Sequence, residues 1–104
     1  MVKHIDSQEF EKILQDKDGS YVVDFWATWC GPCKMLAPVF ESVSENFSDV
    51  TFCKIDVDEC MEAAQAMRVS AVPTIIFVRH GEIVAKTAGF MDEEELSDFV
   101  EENK

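Results

Sequence analysis

Hydrophobic and polar positions along the chain follow two periods, one typical of buried strands and one of amphipathic helices. Runs rich in Val, Ile, Phe and Tyr predict strands buried on both faces, namely "YVVDFWA" (21–27), "VTFCKIDV" (50–57) and "PTIIFV" (73–78). The "HGE" at 80–82 predicts a hairpin turn into "IVAKTAG", an edge strand that carries a lysine outward. These strands are expected to form the middle layer of the fold.

Four apolar stripes at helical spacing alternate with the strands. They are Phe10, Ile13 and Leu14; Leu36, Val39, Phe40, Val43 and Phe47; Ala63, Ala64 and Met67; and Leu96, Phe99 and Val100. Pro38 lies inside the second stripe and predicts a kink in that helix, because proline removes one backbone hydrogen bond.

Capping signals precede the first and the fourth stripe. Asp6 or Ser7 can cap the first helix, and Asp6 with Glu9 has the spacing of a capping box. Asp92 with Glu95 repeats that spacing before the fourth helix. Together the elements predict an α/β fold in which helices pack on both faces of a mixed sheet. Right-handed crossovers join its parallel strands, and the hairpin closes its antiparallel end.

Composition narrows the class of protein. The length, with 47% hydrophobic residues and no linker or repeat, predicts a single soluble domain over residues 1–104. No apolar run could span a bilayer, and "MVKHIDSQEF" has charges where a secretory signal needs an apolar stretch, which favours an intracellular protein. Four cysteines are too few for a disulfide scaffold, so we expect a reducing compartment such as the cytoplasm.

Acidic residues dominate the charge of the chain. The 21 acids and 9 bases give a formal charge of -12, which opposes binding to nucleic acid and to anionic membranes. Residues 92–104 contain seven of these acids and one lysine. We expect this segment to be a solvated face that keeps the protein monomeric, with a docking surface for a basic partner as the alternative.

One cysteine pair, in "WATWCGPCK" (26–34), carries the candidate chemistry. Cys30 follows a predicted strand and Cys33 begins a predicted helix, so free backbone N–H groups and the helix dipole favour a thiolate on Cys30. Pro32 fits the first helical turn without losing a donor, and Gly31 permits close approach. The two-residue spacing lets a disulfide close and reopen without large backbone movement. We expect Cys30 to be the exposed nucleophile and Cys33 to be shielded.

Two other roles for this pair are less favoured. A zinc site needs two further ligands, and the chain has no second Cys-x-x-Cys motif and only the isolated His4 and His80. A purely structural disulfide that closes so short a loop restricts the unfolded chain very little. The sequence therefore favours reversible redox chemistry.

Segments along essentially the whole chain resemble the thioredoxin family. They are, in order, "VVDFWATWCGPCKMLAP", "KIDVDE", "VPTIIFV", "HGE" and "AGF". The run Trp-Cys-Gly-Pro-Cys after Asp-Phe-Trp-Ala is highly specific. The resemblance implies the thioredoxin fold and the reduction of disulfides in target proteins through a redox-active Cys30–Cys33 disulfide. It also implies recharging by thioredoxin reductase, with NADPH as the distant electron source and no cofactor bound to this chain.

The resemblance assigns roles to residues around the pair. Cys30 matches the attacking thiolate and Cys33 the resolving thiol, while the indole of Trp29 forms part of the contact surface. Asp24 matches the buried acid beneath Cys33, and its apolar neighbours disfavour a carboxylate in solvent. Lys54 matches the partner of that acid, although taken alone it would be read as a surface lysine.

Four further positions match the loops that bind substrate in the family. The backbone of Val72 is expected to lie opposite the sulfurs, where an extended segment of the target can pair with it. Pro73 matches the cis-proline of the family, while the sequence by itself favours trans. Gly89 matches the position where the last loop must approach the site, and Phe90 adds an apolar contact.

Cys53 and Cys60 are not fixed by the family pattern. Cys53 falls in a strand expected to be buried, and Cys60 keeps helical phase with the third apolar stripe. Free cysteines in such places are usually inert packing residues. Cys60, near a helix start, is the better candidate for regulatory oxidation or an intermolecular bridge.

Two rival functions stay open. A domain of a disulfide isomerase or oxidase would share the fold, but isomerases commonly carry Gly-His between the cysteines, and "EENK" is not an ER-retention signal. A binding module would use the same surface without turnover, and the intact Cys30, Cys33 and Asp24 weigh against it. The sequence therefore predicts a cytosolic reductase of protein disulfides that resembles the thioredoxins.

Overall fold

The computed structural model places a five-stranded sheet between two layers of helices. In chain order the elements are β1 (Val2–His4), α1 (Ser7–Gln15), β2 (Ser20–Trp26), α2 (Gly31–Ser44), β3 (Thr51–Asp56), α3 (Met61–Ala66), β4 (Thr74–Arg79), β5 (Glu82–Ala88) and α4 (Glu93–Asn103). The strand order is β1-β3-β2-β4-β5, with β3 parallel to both β1 and β2, and β4 antiparallel to both β2 and β5. The predicted mixed sheet with helices on both faces is confirmed.

Alternation along the central strand β2 divides the core into two halves. Val22 faces the layer of α2 and α4, where Phe40 meets Phe52 with ring centroids 5.1 Å apart. Val23 and Phe25 face α1 and α3 on the other side of the sheet, where Phe10 meets Phe25 at 5.5 Å. Because successive side chains of a strand point to opposite faces, one run of apolar residues supplies both cores.

Both predicted capping boxes are present. The Asp6 carboxylate accepts a hydrogen bond from the Glu9 amide at 2.8 Å, and the Glu9 carboxylate accepts one from the Asp6 amide at 3.0 Å. Asp92 and Glu95 repeat this exchange before α4 at 2.8 and 3.1 Å. Asp6, rather than Ser7, is therefore the cap of α1. Each cap satisfies backbone donors that the helix itself leaves free.

The hairpin between β4 and β5 turns at His80 and Gly81, as predicted. Both residues have positive φ, 54° and 81°, which is typical of the tightest two-residue hairpins. A Cβ atom at Gly81 would also lie 2.8 Å from the carbonyl oxygen of Leu14. This position therefore requires glycine for its backbone conformation and for its contact with the end of α1.

Two elements differ from the predictions. β1 was not predicted, because its three residues, Val-Lys-His, include two exposed polar side chains and are held by pairing with β3. The helix α2 begins at Gly31, two residues before Cys33. Cys60 is the N-cap residue of α3, and it packs on the same cluster as Ala63, Ala64 and Met67, so the predicted helical phase is kept.

Both chain ends lie at the far end of α2. The N-terminal ammonium of Met1 donates to Ser44 Oγ at 3.0 Å, and Lys104 Nζ donates to Asp49 Oδ2 at 3.2 Å. Pro38 lies inside α2 between its first turn and this end. None of the four helices combines the length and the apolar character that a membrane crossing needs.

Candidate active site: a cysteine pair at a helix N-terminus

Cys30 is the N-cap residue of α2, and its sulfur is the capping acceptor. Its backbone is extended, with φ -95° and ψ 113°, and its Sγ accepts a hydrogen bond from the Cys33 amide at 3.1 Å. Pro32, in the first turn, lacks an N–H group that would have no helical partner there. The sulfur therefore lies where an anion is stabilised by a backbone donor and by the positive end of the helix.

A disulfide joins Cys30 to Cys33 within this first turn. Their Cα atoms are 5.3 Å apart, which is an ordinary separation for a disulfide. The helix continues without interruption from Gly31 to Ser44 while the disulfide is closed. The pair can therefore form its disulfide without unfolding the helix that carries it.

The expectation that Cys30 is exposed is wrong for this disulfide state. Cys30 is 4% exposed and Cys33 is 2% exposed. The two sulfurs and Ala27 form a small apolar cluster, against which Val57 and Val72 pack from loops distant in sequence. The solvent-exposed groups of the site are instead side chains around the disulfide.

Trp29 is a highly exposed apolar side chain beside the disulfide, at 69%. Its indole Nε1 donates to Asp58 Oδ2 at 2.8 Å, so the ring is held over the loop after β3. Beside it lies an apolar cavity of about 150 Å³, lined by Trp29, Val57 and residues 69–72. Asp58 was not predicted as a site residue, although it lies in the acidic run "DVDE" (56–59) at the end of β3.

The cis-proline loop lies opposite the disulfide. The peptide bond between Val72 and Pro73 is cis, as the family resemblance implied. The carbonyl oxygen of Val72 lies 3.5 Å from Cys30 Sγ. The backbone of Val72 is thus beside the sulfur that a target would approach.

The last loop is tied to the cis-proline loop. The Gly89 amide donates to the Pro73 carbonyl oxygen at 2.9 Å, and Gly89 has φ 102°. A Cβ atom at Gly89 would meet nothing within 4 Å, so the backbone angle rather than space favours glycine here. Phe90, the next residue, is 39% exposed.

A Cβ at Gly31 would likewise lie in open space, which leaves this side of the disulfide open to an approaching chain.

Asp24 is fully buried in β2, and neither of its carboxylate oxygens has a hydrogen-bond partner. It alternates with residues that face α1 and α3, so it faces the α2 layer that carries the cysteines. Burial raises its pKa to about 7, and the positive charge of Lys54 opposes that rise. Lys54 pairs with Asp24 in register, but its ammonium lies over the Trp26 ring, 4.7 Å from the ring centroid.

The two remaining cysteines lie apart from the disulfide and are free thiols. Cys53 is 1% exposed, and burial raises its pKa to about 11. Cys60 is partly exposed, and burial raises its pKa against the opposing effect of hydrogen bonding with Ser7. Both groups therefore favour the unreactive thiol near neutral pH. No cluster of three or more His, Cys, Asp and Glu side chains is arranged to hold a metal ion.

The fold and the site define a thiol–disulfide oxidoreductase. A disulfide closes the first turn of the helix that follows a central strand, the cis-proline loop lies directly against it, and an apolar cavity lies beside Trp29 and this loop. A strand-to-helix turn of this kind supplies the backbone donors that thiolate chemistry needs. This is the class of protein to which comparison with known sequences and structures also leads.

The thioredoxin family model matches residues 1–102. Thioredoxin-2 of Saccharomyces cerevisiae is 47% identical over 83 residues, which are 80% of this chain and 80% of that protein. Thioredoxin of Callithrix jacchus is 46% identical over 91 residues, 86% of this chain and 87% of that one. The solved structure of Malassezia sympodialis thioredoxin matches with a TM-score of 0.88 and 37% identity, covering 98% of this chain and 92% of that one. The chain belongs to the thioredoxin family.

Proposed function

We propose that this protein reduces disulfides in other proteins through Cys30 and Cys33. The observation that carries the proposal is the position of Cys30 Sγ, which accepts the Cys33 amide at 3.1 Å and lies 3.5 Å from the Val72 carbonyl oxygen. In the reduced protein the amide would stabilise a thiolate on Cys30. The backbone of Val72 offers an edge along which an extended segment of a target can align.

In the first step the target docks on the apolar side chains around the disulfide site, chiefly Trp29, Val72 and Phe90. The Cys30 thiolate then attacks one sulfur of the target disulfide. A bond forms between Cys30 and that sulfur, and the second target sulfur leaves as a thiolate that takes a proton from solvent. The product is a mixed disulfide between Cys30 and the target.

In the second step Cys33 attacks Cys30 and releases the target as a dithiol. Two electrons have then passed from the cysteine pair to the target, and the Cys30–Cys33 disulfide is closed. Cys33 must lose a proton before it attacks. Asp24 can accept this proton through a water molecule, because its oxygens have no other partner and its pKa of about 7 lies near the working pH.

Thioredoxin reductase is the partner proposed to reopen the disulfide, with NADPH as the electron source bound by the reductase and not by this chain. The formal charge of -12 favours protein partners over nucleic acid or membrane surfaces. We place the protein in the cytoplasm as a monomer. The free thiols of Cys53 and Cys60 support a reducing compartment.

A coupled assay tests this function. The protein is mixed with thioredoxin reductase, NADPH and a disulfide-linked protein substrate, and NADPH oxidation is followed together with the appearance of substrate thiols. We expect steady NADPH oxidation only when all components are present. Cys30→Ser should be inactive, while Cys60→Ser, which removes a thiol outside the site, should be as active as wild type.

Two results of this assay would contradict the proposal. If wild type releases no substrate thiols although the reductase is active, the protein is not a reductase of this substrate class. If Cys30→Ser matches wild type, the turnover does not depend on the cysteine pair, and a binding role independent of redox chemistry becomes the better explanation.

A further inference from the structure

A lysine on the edge strand β5 holds the segment that follows α3. The ammonium of Lys86 donates to the carbonyl oxygen of Met67 at 2.8 Å and to that of Arg68 at 3.1 Å. Lys86 pairs in register with Ile76, whose side chain lies in the core beneath α1 and α3, so the lysine also faces this layer. Hydrogen bonds from a charged donor are stronger than neutral ones, and two of them meet here at the end of one helix.

The backbone just after α3 has an uncommon conformation, which hydrogen bonds from Lys86 can stabilise. Arg68 has φ 54°, in the left-handed region that glycine usually occupies at a helix end. The Val69 amide donates to the Ala64 carbonyl oxygen at 2.9 Å and the Arg68 amide to that of Gln65 at 3.1 Å, which together close the helix. The last carbonyl groups of a helix have no partner within it. Lys86 supplies donors to two carbonyls at this point.

The segment held by Lys86 forms one wall of the apolar cavity beside the disulfide. Residues 69–72 line this cavity opposite Trp29, and the Val72 carbonyl oxygen lies 3.5 Å from Cys30 Sγ. The other end of the wall is tied by the Gly89 amide, which donates to the Pro73 carbonyl oxygen at 2.9 Å. Lys86 and Gly89 are three positions apart, so one short stretch of chain anchors both ends of the wall.

We infer that Lys86 is a positioning residue for the docking of protein targets. It fixes the segment from Met67 to Val72, so that the wall of the cavity and the Val72 backbone are already in place when a target arrives. The inference rests on the proposed function, since the occupant of the cavity is the protein whose disulfide is reduced. Lys86 touches neither sulfur, and a small disulfide that needs no docking surface should react without its help.

The test compares Lys86→Met with Lys86→Arg and with Lys12→Met, which removes an exposed lysine from α1 on a surface away from the cavity. KM and kcat are measured with a protein disulfide and with a small aromatic disulfide at saturating reductase. For Lys86→Met we expect KM for the protein substrate to rise about fivefold, because two hydrogen bonds that hold the loop after α3 are lost. The value of kcat and the rate with the small disulfide should not change. Lys86→Arg should restore KM, and Lys12→Met should behave as wild type.

Hydrogen exchange of the Val69 amide gives a readout independent of activity. In Lys86→Met this amide should exchange about tenfold faster than in wild type, while core amides of β2 keep their rates, because the loss is local. Unchanged exchange at Val69 would overturn the inference even if KM rises, since Lys86 would then act on the target directly. Faster exchange with an unchanged KM would overturn it as well. If wild type reduces no protein disulfide while the Val69 amide exchanges faster in Lys86→Met, the proposed function is contradicted. The local effect of Lys86 on the loop would then still be established.

Discussion

Asp24 and Lys54 lie side by side in register on β2 and β3, yet they do not form an ion pair. The Lys54 ammonium lies 4.7 Å from the centroid of the Trp26 ring, and both Asp24 oxygens have no partner. The lysine therefore lowers the pKa of Asp24 only through space, and burial remains the larger effect. A carboxyl group with a pKa of about 7 has consequences for stability and for rate.

Replacing Asp24 should stabilise the protein at neutral pH. The pKa of this group is about 7 when folded, against its ordinary value of 3.8, so the unfolded chain loses the proton first as pH rises. Wild type therefore loses stability between about pH 4 and pH 7, by about 4 kcal/mol from this group alone. The Ala side chain leaves a small cavity that offsets part of this gain. Asp24→Ala should therefore be about 2 kcal/mol more stable than wild type at pH 8, and no more stable than wild type at pH 4.

Denaturant melts of wild type and Asp24→Ala at pH 4, 6 and 8 check this expectation. Single-turnover reduction of a protein disulfide should be slower in the variant, because the proposed base for Cys33 is missing. A variant that is less stable at pH 8, or that reduces its target as fast as wild type, would show that Asp24 is not a buried base.

Removing the charge of Lys54 should shift the pH dependence of the second step. Lys54→Met takes away the positive charge that opposes the raised pKa of Asp24, so that pKa should rise above about 7. Release of the target from the mixed disulfide should then be about threefold slower at pH 7 and recover at higher pH. Lys54→Arg keeps the charge and should keep the wild-type profile. An unchanged profile in Lys54→Met would mean that Lys54 does not influence this step.

The two cysteines of the disulfide should differ when each is replaced. Cys33→Ser should accumulate a stable mixed disulfide with the target through Cys30, because no second thiol can resolve it. Cys30→Ser should form no such species at a comparable rate. Mass spectrometry of the trapped complex identifies the joined cysteine. Trapping through Cys33 at the same rate in Cys30→Ser would reverse the assignment of nucleophile and resolving thiol.

The two free cysteines should behave as packing residues. Cys53→Ala removes a sulfur that is 1% exposed, and should lower the free energy of unfolding by about 1 to 2 kcal/mol. Cys60→Ala removes a partly exposed one and should cost less than about 1 kcal/mol, with unchanged turnover. Wild type should stay monomeric under peroxide, as judged by non-reducing electrophoresis. A covalent dimer that Cys60→Ala fails to form would instead support a regulatory role for Cys60.

Features that depend on neighbouring residues could be predicted from the sequence. The capping boxes at Asp6 and Asp92 involve residues only three positions apart, and the hairpin turn at Gly81 needs only its own backbone preference. The buried strands followed from their apolar runs. For the site, the family resemblance rather than periodicity pointed to the cis peptide bond at Pro73 and to the approach of Gly89.

Features that depend on distant contacts could not be predicted. The burial of Cys30 comes from Val57 and Val72, and the support for the loop after α3 comes from Lys86, whose two accepting carbonyls are 18 and 19 positions earlier in the chain. Likewise, the hydrogen bond between Trp29 and Asp58 spans 29 positions. No local pattern encodes such pairs, because each forms only when separate elements meet in the folded sheet.

The helix α2 separates the disulfide from both ends of the chain. Its 14 residues extend about 20 Å, from the cysteine pair at its first turn to the region of Ser44, Met1 and Lys104. A surface anchor or a fused carrier attached at either end would therefore leave the disulfide pointing away from the attachment. The protein can therefore be attached through either chain end while the disulfide at the opposite end of α2 stays accessible to large substrates.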